Sequence, residues 1–209
     1  MYQHAQHMLG VEIVFMLGQP QRVLESTELL DTPPVERGRC TSLPTTSVLP
    51  AMLLPREAEC YAIYADAVGG LFVRTQDHGG LFMLQERWRQ LGNVLPKDST
   101  CRAIVYRDKS GRLVFGVYDL LRLAGVEQTS SSIFERQKML FGLFSNASAG
   151  PDIVLHWVGQ EGSLREHLQK GAFCNSLSFD IDYMLRIDRK EGKEVYRRVL
   201  RPLILSALE

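Results

Sequence analysis

The side chains of this chain best suited to chemistry are aromatic and acidic groups near its middle. Phe115, Tyr118 and Asp119 lie on one β-rich run, VFGVYD. An aromatic ring on a strand either packs in the core or stacks on a nucleobase, and stacking contributes about 1–3 kcal/mol per base. Asp119 either binds a ribose or a purine amine, or it caps the turn that follows. The sequence leaves both interpretations open for each residue.

A second set of polar residues lies towards the carboxyl end, where SFDIDYMLRID alternates as a strand. Asp180, Asp182 and Asp188, with Glu57, are able to ligate a metal. Alternating acids more often form a solvated strand face, and Arg186 on the same face would pair with them. We therefore predict no metal site.

Basic residues concentrate just beyond that strand, and a local cluster of this kind is able to contact RNA phosphates. An exposed turn and helix, diluted by Glu191 and Glu194, would look the same. Lys plus Arg equals Asp plus Glu at 24 each, so any polyanion site must be local. The cluster consists of Arg189, Lys190, Lys193, Arg197, Arg198 and Arg201.

The elements that would position these residues are clearest between Cys101 and Phe144. Two β-rich runs flank the turn Asp108-Lys109-Ser110-Gly111, which predicts a hairpin. Ser132 with Glu135 forms a capping-box pattern that opens a helix. Glycine-separated strands from Glu59 predict an antiparallel meander, and Ser163 with Glu166 predicts another capped helix. We expect an α+β fold of antiparallel sheets with peripheral helices.

The order of these features resembles the core of the covalent nucleotidyltransferases, namely mRNA capping guanylyltransferases and ATP-dependent ligases. The matching residues are Lys109-Ser110-Gly111, Tyr118-Asp119, Leu121 to Gly125 and Glu135-Arg136. In that family a lysine in K-x-D-G-x-R attacks the α-phosphate of a nucleotide, assisted by a metal. The resemblance implies a guanylyltransferase-like domain.

The residues that this chemistry needs are missing from their expected positions. The lysine position falls on Pro55, and no lysine precedes Lys97. The glutamate of the next motif falls on Ile104, and the closing lysine motif retains one cation, Arg201. The family's E-G or D-G motif falls on Asp182 and Tyr183, so the acid is retained and tyrosine replaces the glycine. The chain also lacks the G-x-S-x-G, P-loop and H-E-x-x-H motifs. We predict a pseudoenzyme with no catalytic residue and no cofactor.

The resemblance includes one relative that binds without catalysis. Snurportin has a guanylyltransferase-like domain, lacks the lysine and holds an RNA cap by stacking. The tryptophan that stacks there falls on Leu123, so other rings would be needed, among them Tyr183 and Trp157. We predict binding of a capped RNA or nucleotide in an RNA-processing or transport complex, in the nucleus or cytoplasm. The predicted binding residues are Phe115, Tyr118, Asp119, Asp182, Tyr183 and Arg201.

Two alternatives remain open: a protein-protein scaffold with the old pocket filled by Tyr183 and its neighbours, and an enzyme with an unrecognised site. Residues 1–55 are predicted to be a strand and helix followed by a proline-rich connecting segment, and residues 56–209 the nucleotidyltransferase-like domain. The apolar run from Met8 to Leu17 is too short to span a bilayer, so it predicts a buried strand and no membrane association. Four widely spaced cysteines indicate free thiols in a reducing compartment.

Overall fold

The computed structural model describes residues 35–36, 48–56, 58–65, 71–75, 81–83, 86–169, 172–190 and 193–199. These residues fall into two compact units. The first unit comprises Glu59–Val105 and Val114–His156, and the second comprises described residues of Pro33–Ala58, Tyr106–Leu113 and Trp157–Glu209. The predicted strand in the run from Met8 to Leu17 lies outside the described residues. The predicted boundary between residues 55 and 56 stays a prediction.

Strands dominate both units, with a few helices between them. In chain order the elements of the described residues are β1 (Val35–Glu36), β2 (Pro50–Pro55), β3 (Glu59–Ala65), β4 (Leu71–Thr75), β5 (Leu81–Met83), a 3₁₀ helix (Glu86–Asn93), β6 (Ser99–Arg107), β7 (Leu113–Leu123), β8 (Val126–Glu127), α1 (Ile133–Asn146), β9 (Ile153–Leu155), β10 (Gly159–Gln160), α2 (Glu161–Gln169), α3 (Ala172–Ser176), β11 (Ile181–Lys190) and β12 (Lys193–Val199).

The first unit is built on a seven-stranded sheet of order β5-β4-β3-β6-β7-β8, with β9 joined to β7. Neighbouring strands from β3 to β6 run antiparallel, whereas β9 runs parallel to β7. Strands β6 and β7 are buried along almost their whole length, which agrees with their continuous apolar runs. Strand β7 carries three of the six predicted binding residues, namely Phe115, Tyr118 and Asp119.

The second unit is built on a five-stranded sheet of order β1-β12-β11-β2-β10. Strand β11 runs antiparallel to both of its neighbours, and β1 pairs parallel with β12. The predicted α+β class with mainly antiparallel sheets is confirmed. Among the helices that the structure describes, none has the length and apolarity that a membrane crossing requires.

Strand β2 lies in the proline-rich segment for which the sequence predicted only a connecting segment, so that prediction was wrong here. Pro50 begins the strand and Pro55 ends it at a register shift with β11, and proline is tolerated at the first residue of a strand and at such irregularities. Between them Ala51 to Leu54 are almost completely buried. A proline-dense segment therefore forms a strand between β10 and β11 because its four central residues supply the hydrogen bonds and the apolar surface.

The start of α1 confirms the predicted capping box. The hydroxyl of Ser132 accepts a hydrogen bond from the backbone nitrogen of Glu135, whose carboxylate accepts one from the backbone nitrogen of Ser132. That second bond holds the pKa of Glu135 below its ordinary value. The prediction that Ser163 caps the next helix was wrong, because α2 already begins at Glu161 and Ser163 lies within it. The helix starts two residues before Ser163, where the backbone nitrogen of Glu161 donates to the carbonyl oxygen of Leu49.

The turn between β6 and β7 is organised by one carboxylate, that of Asp108. Its Oδ1 accepts hydrogen bonds from the backbone nitrogens of Ser110 and Arg112 and from the Ser110 hydroxyl, the last at 2.6 Å. Its Oδ2 accepts a bond from the guanidinium of Arg112 at 3.1 Å. These donors, with the Ser110 hydroxyl the strongest, hold the pKa of Asp108 below its ordinary value. Gly111 completes the turn with a φ of +82°, which favours glycine.

We expect this turn to lose stability in acid. A carboxyl group whose pKa is lowered by folding stabilises the folded state above its unfolded pKa, and that contribution is lost as the pH falls through the folded pKa. Asp108→Asn should therefore lower the melting temperature at pH 7. As the pH falls below the ordinary pKa of aspartate, the melting temperature of the variant should decrease less than that of the wild type. Thermal melts between pH 7 and pH 2 measure this. An acid dependence identical to that of the wild type would contradict the assignment.

Candidate functional site

The motif aspartate, Asp119, lies fully buried in the first unit and is bound by two arginines. Arg136 of α1 donates from Nε to Oδ1 at 2.7 Å and from Nη2 to Oδ2 at 3.1 Å, a bidentate pair. Arg102 of β6 donates from Nη1 to Oδ2 at 3.0 Å. The backbone nitrogen of Leu120 adds a fourth bond at 2.9 Å. The carboxylate thus ties β6, β7 and α1 together.

Both arginines are themselves buried, so this ionic cluster is closed to solvent. Arg136 also donates from Nη1 to the carbonyl oxygen of Ser131 at 2.6 Å, just before α1. Arg136 belongs to the Glu135-Arg136 pair of the sequence resemblance, but neither arginine was predicted to be a partner of Asp119. Each is 17 residues from Asp119, on a separate element, so only the folded arrangement reveals the contact.

The aromatic residues predicted to stack on a base, Phe115 and Tyr118, lie in the core of the first unit. Each exposes 1% of its surface. The carbonyl oxygen of Tyr118 accepts a hydrogen bond from the side chain of Gln137 at 2.6 Å, so the backbone here is fixed to α1. A stacking platform needs an open ring face, and both rings act as core residues in this structure. Their predicted role in ligand binding stays a prediction.

Cys101 is fully buried in β6, next to Arg102. Burial, with a smaller contribution from the negative charge of Asp119, raises the pKa of its thiol far above the ordinary value. The thiol is therefore neutral at physiological pH, which makes it a poor nucleophile and a poor metal ligand. Within the described residues no cluster of three or more His, Cys, Asp or Glu side chains is arranged to hold a metal ion.

The remaining predicted site residues belong to the second unit or lie outside the described part. Asp182 and Tyr183 are half-buried on β11, next to a register shift between Ile181 and Tyr183. Arg201 lies outside the described residues. The structure brings Phe115, Tyr118 and Asp119 together on β7, and it places Asp182 and Tyr183 together on β11.

The second unit contains its own arginine-carboxylate cluster, on β11 and β12. Arg186 and Arg197 are directly opposite each other in the register, and Asp188 lies between them. Nε of Arg186 is 3.1 Å from Oδ1 of Asp188, and its Nη2 donates to Oδ2 at 3.2 Å. Nε of Arg197 is 3.1 Å from the same Oδ2. The expected pairing of Arg186 with an acid on its strand is therefore observed at Asp188.

A buried glutamate extends this cluster towards α2. Glu161 is fully buried, and its Oε1 accepts two bonds from Arg165, of 3.1 and 2.7 Å. Nη1 of Arg186 lies 4.0 Å from Oε2 of Glu161. The expected solvated face of β11 was therefore wrong at Met184 and Arg186, which are both buried, although Asp180 is exposed. The charged residues of this face can be buried because they pair with each other.

Comparison with known proteins supports the fold and nothing finer. No family model matches the chain, and a comparison with curated proteins finds no match. Among solved structures, 32 chains match. One is the ligase domain from M. tuberculosis LigD, which aligns with a TM-score of 0.54 and 14% sequence identity, over 82% of this chain and 57% of that chain. The predicted likeness to a ligase domain is confirmed as a likeness of fold.

Removal of the Asp119 charge should strongly destabilise the first unit. Asp119→Asn keeps the shape of the side chain but leaves Arg102 and Arg136 without this counter-charge in the core. Breaking a buried ion pair in this way typically costs about 3–5 kcal/mol. Urea denaturation should show a loss of that size in the free energy of unfolding.

Asp98→Asn is the matched control, because Asp98 is exposed and asparagine tolerates its φ of +54°. This substitution should change the free energy of unfolding by less than about 0.5 kcal/mol. Equal losses in the two variants would contradict the structural role of Asp119.

Proposed function

We propose that this chain is a non-catalytic module of the nucleotidyltransferase fold that binds a nucleotide or an RNA cap. The proposal rests on one prediction from the sequence, in a chain with the fold of a ligase domain: the position predicted for the nucleophile holds proline. Pro55 is buried at the end of β2, a turn follows at Arg56, and β3 begins at Glu59. This strand-turn-strand frame is the context in which the family carries its lysine, and proline has no amine to attack a phosphate.

The acidic position of the next motif supports the same proposal. Ile104 occupies it, in the middle of β6, and is fully buried. An isoleucine side chain neither coordinates a metal nor accepts a hydrogen bond. The module would therefore hold a nucleotide without activating it, and it would need neither a metal nor a cofactor for that purpose.

Binding rather than catalysis also fits the polar groups that remain. Asp182 and Tyr183 are half-buried side chains on β11. An acid and an aromatic ring are side chains that suit a nucleobase, since a ring can stack on the base and an acid can accept a hydrogen bond from a purine amine. In this proposal the partners are a capped RNA and proteins of an RNA-processing or transport complex, in the nucleus or cytoplasm.

Two measurements test the proposal together. Millimolar GTP or a cap dinucleotide should raise the melting temperature, because a ligand that binds only the folded state stabilises it. Incubation with radiolabelled GTP or ATP and magnesium should leave no label on the denatured protein. A labelled side chain would overturn the non-catalytic assignment, and an unchanged melting temperature with every nucleotide would overturn the binding assignment.

A protein-protein scaffold is the second candidate, and the burial of the motif residues favours it. Phe115 and Tyr118 fill the core and Asp119 is bound by two arginines, whereas Phe141 on α1 and Val126 on β8 are 64% and 61% exposed. In a scaffold these exposed apolar side chains would contact a partner. No nucleotide should then shift the melting temperature, and Phe141→Ser should reduce partner capture without lowering stability.

A further inference from the structure

The tip of the hairpin between β6 and β7 carries basic residues and belongs to the second unit. Arg107, Lys109 and Arg112 are all exposed there. The backbone nitrogen of Lys109 donates to the carbonyl oxygen of Ser178 at 2.7 Å, and its ammonium group donates to the carbonyl oxygen of Cys174 at 3.3 Å. The tip is therefore held against α3 and the segment that leads from it to β11.

An aromatic contact strengthens this attachment. The rings of Tyr106 and Phe179 meet edge to face, with their centroids 5.3 Å apart, and both residues are buried. Tyr106 comes directly before Arg107, and Phe179 directly follows Ser178. The cations of the tip thus project from a fixed frame, so a ligand that binds them orders few additional groups.

A further cation reaches the same segment from a distant part of the sequence. Arg56 is exposed in the turn that follows β2, and its backbone nitrogen donates to the carbonyl oxygen of Asp180 at 3.1 Å. Ser178 and Asp180 are two residues apart, a span of at most about 7 Å. The turn at Arg56 and the hairpin tip at Lys109 are therefore neighbours in the second unit.

The positive charges of these two turns are only partly neutralised. Arg112 is paired with Asp108, with Nε 3.1 Å from Oδ2. Nη1 of Arg107 donates instead to a carbonyl oxygen of the turn, at 3.0 Å. A carbonyl oxygen carries no net charge, so Arg107 and Lys109 both retain theirs. Among the residues that the structure describes, no carboxylate forms an ion pair with Arg56, Arg107 or Lys109.

One exposed acid, Asp180, opposes this positive charge. It follows the segment that anchors the hairpin tip, and its carboxylate offsets the charge of no more than one cation. The surface formed by Arg56, Arg107 and Lys109 therefore keeps an excess of positive charge. Because the whole chain has a net charge of zero, this excess is a local feature.

We propose that this surface of Arg56, Arg107 and Lys109 binds the phosphate backbone of single-stranded RNA. Guanidinium and ammonium groups that retain free donors suit phosphate oxygens, and cations on two adjacent turns are able to contact more than one phosphate. The choice of RNA rests on the proposed function. The surface uses none of the residues predicted to bind the nucleotide, and it differs from the predicted basic cluster that follows β11.

The anisotropy of a fluorescently labelled oligouridine measures this binding. Arg56→Gln, Arg107→Gln and Lys109→Gln should each weaken it about fivefold at about 0.1 M salt. Each should also reduce the slope of log affinity against log salt by about 0.7, which is the counterion release of one phosphate contact on a single strand. Oligoadenosine should give the same affinities, because phosphate contacts carry no sequence information.

Lys138→Gln is the matched control, because Lys138 is exposed on α1 of the first unit and the charge change is the same. This variant should bind oligouridine as tightly as the wild type. An equal loss of affinity in Lys138→Gln and Arg107→Gln would reduce the effect to general charge attraction and overturn the proposal.

Asp180→Asn should act in the opposite direction. It removes the negative charge that opposes the three cations, so RNA binding should become about twofold tighter, as expected for one charge near a phosphate in water. Partial unfolding would not tighten binding, so a gain of affinity cannot arise from damage to the fold. Unchanged affinity in Asp180→Asn and in all three cation variants would show that this surface is not the site.

The remaining outcomes separate this inference from the broader proposal. If the wild type binds GTP or a cap dinucleotide but no oligouridine, the RNA surface falls and the nucleotide-binding function stands. If the cation variants lose RNA while no nucleotide raises the melting temperature of the wild type, the surface stands and the nucleotide-binding function falls. A DNA strand of equal length that binds more tightly than RNA would overturn the choice of RNA. Thermal melts confirm that each variant is folded.

Discussion

The first unit depends on one buried carboxylate. A charge taken out of water is stable in a protein only with close partners, and Asp119 has two arginines and a backbone nitrogen around it. Because Arg102 lies on β6 and Arg136 on α1, the cluster fixes two strands and a helix at once. The motif that resembles the nucleotidyltransferases is thus engaged in holding the fold together. Its presence argues for a shared architecture more strongly than for a shared reaction.

The sequence predicted those parts of the structure whose causes are local. The hairpin turn at Asp108 and the capping box at Ser132 are each made by residues within four positions of each other, so their hydrogen bonds can be read from spacing. Strand β2 and the start of α2 depend on pairing with β11 and with Leu49, which no local pattern contains. Arg186 combines both cases, because Asp188 is two positions away and this pairing was predicted, whereas Glu161 lies on α2 and was not predicted as a partner.

The candidate site was less predictable than the fold for a related reason. Aromatic residues at strand spacing look alike whether they face a ligand or a core, and Phe115 and Tyr118 face the core. Trp157 is exposed, unlike these two rings, and its ring packs over Gly159, two positions later. The sequence does not reveal this contact, because it depends on β10 being the last strand of its sheet. A fold shared at 14% identity transfers architecture, while function depends on the individual side chains placed on it.

The two arginine-carboxylate clusters illustrate how similar residues serve different ends. Around Asp119 the carboxylate and both arginines are nearly inaccessible, so an added anion would have to open the core to reach them. Around Asp188 the carboxylate holds two arginines of adjacent strands in register, and one of them extends to the surface. A charge near the surface attracts anions at lower desolvation cost than a buried one, although solvent and salt weaken that attraction.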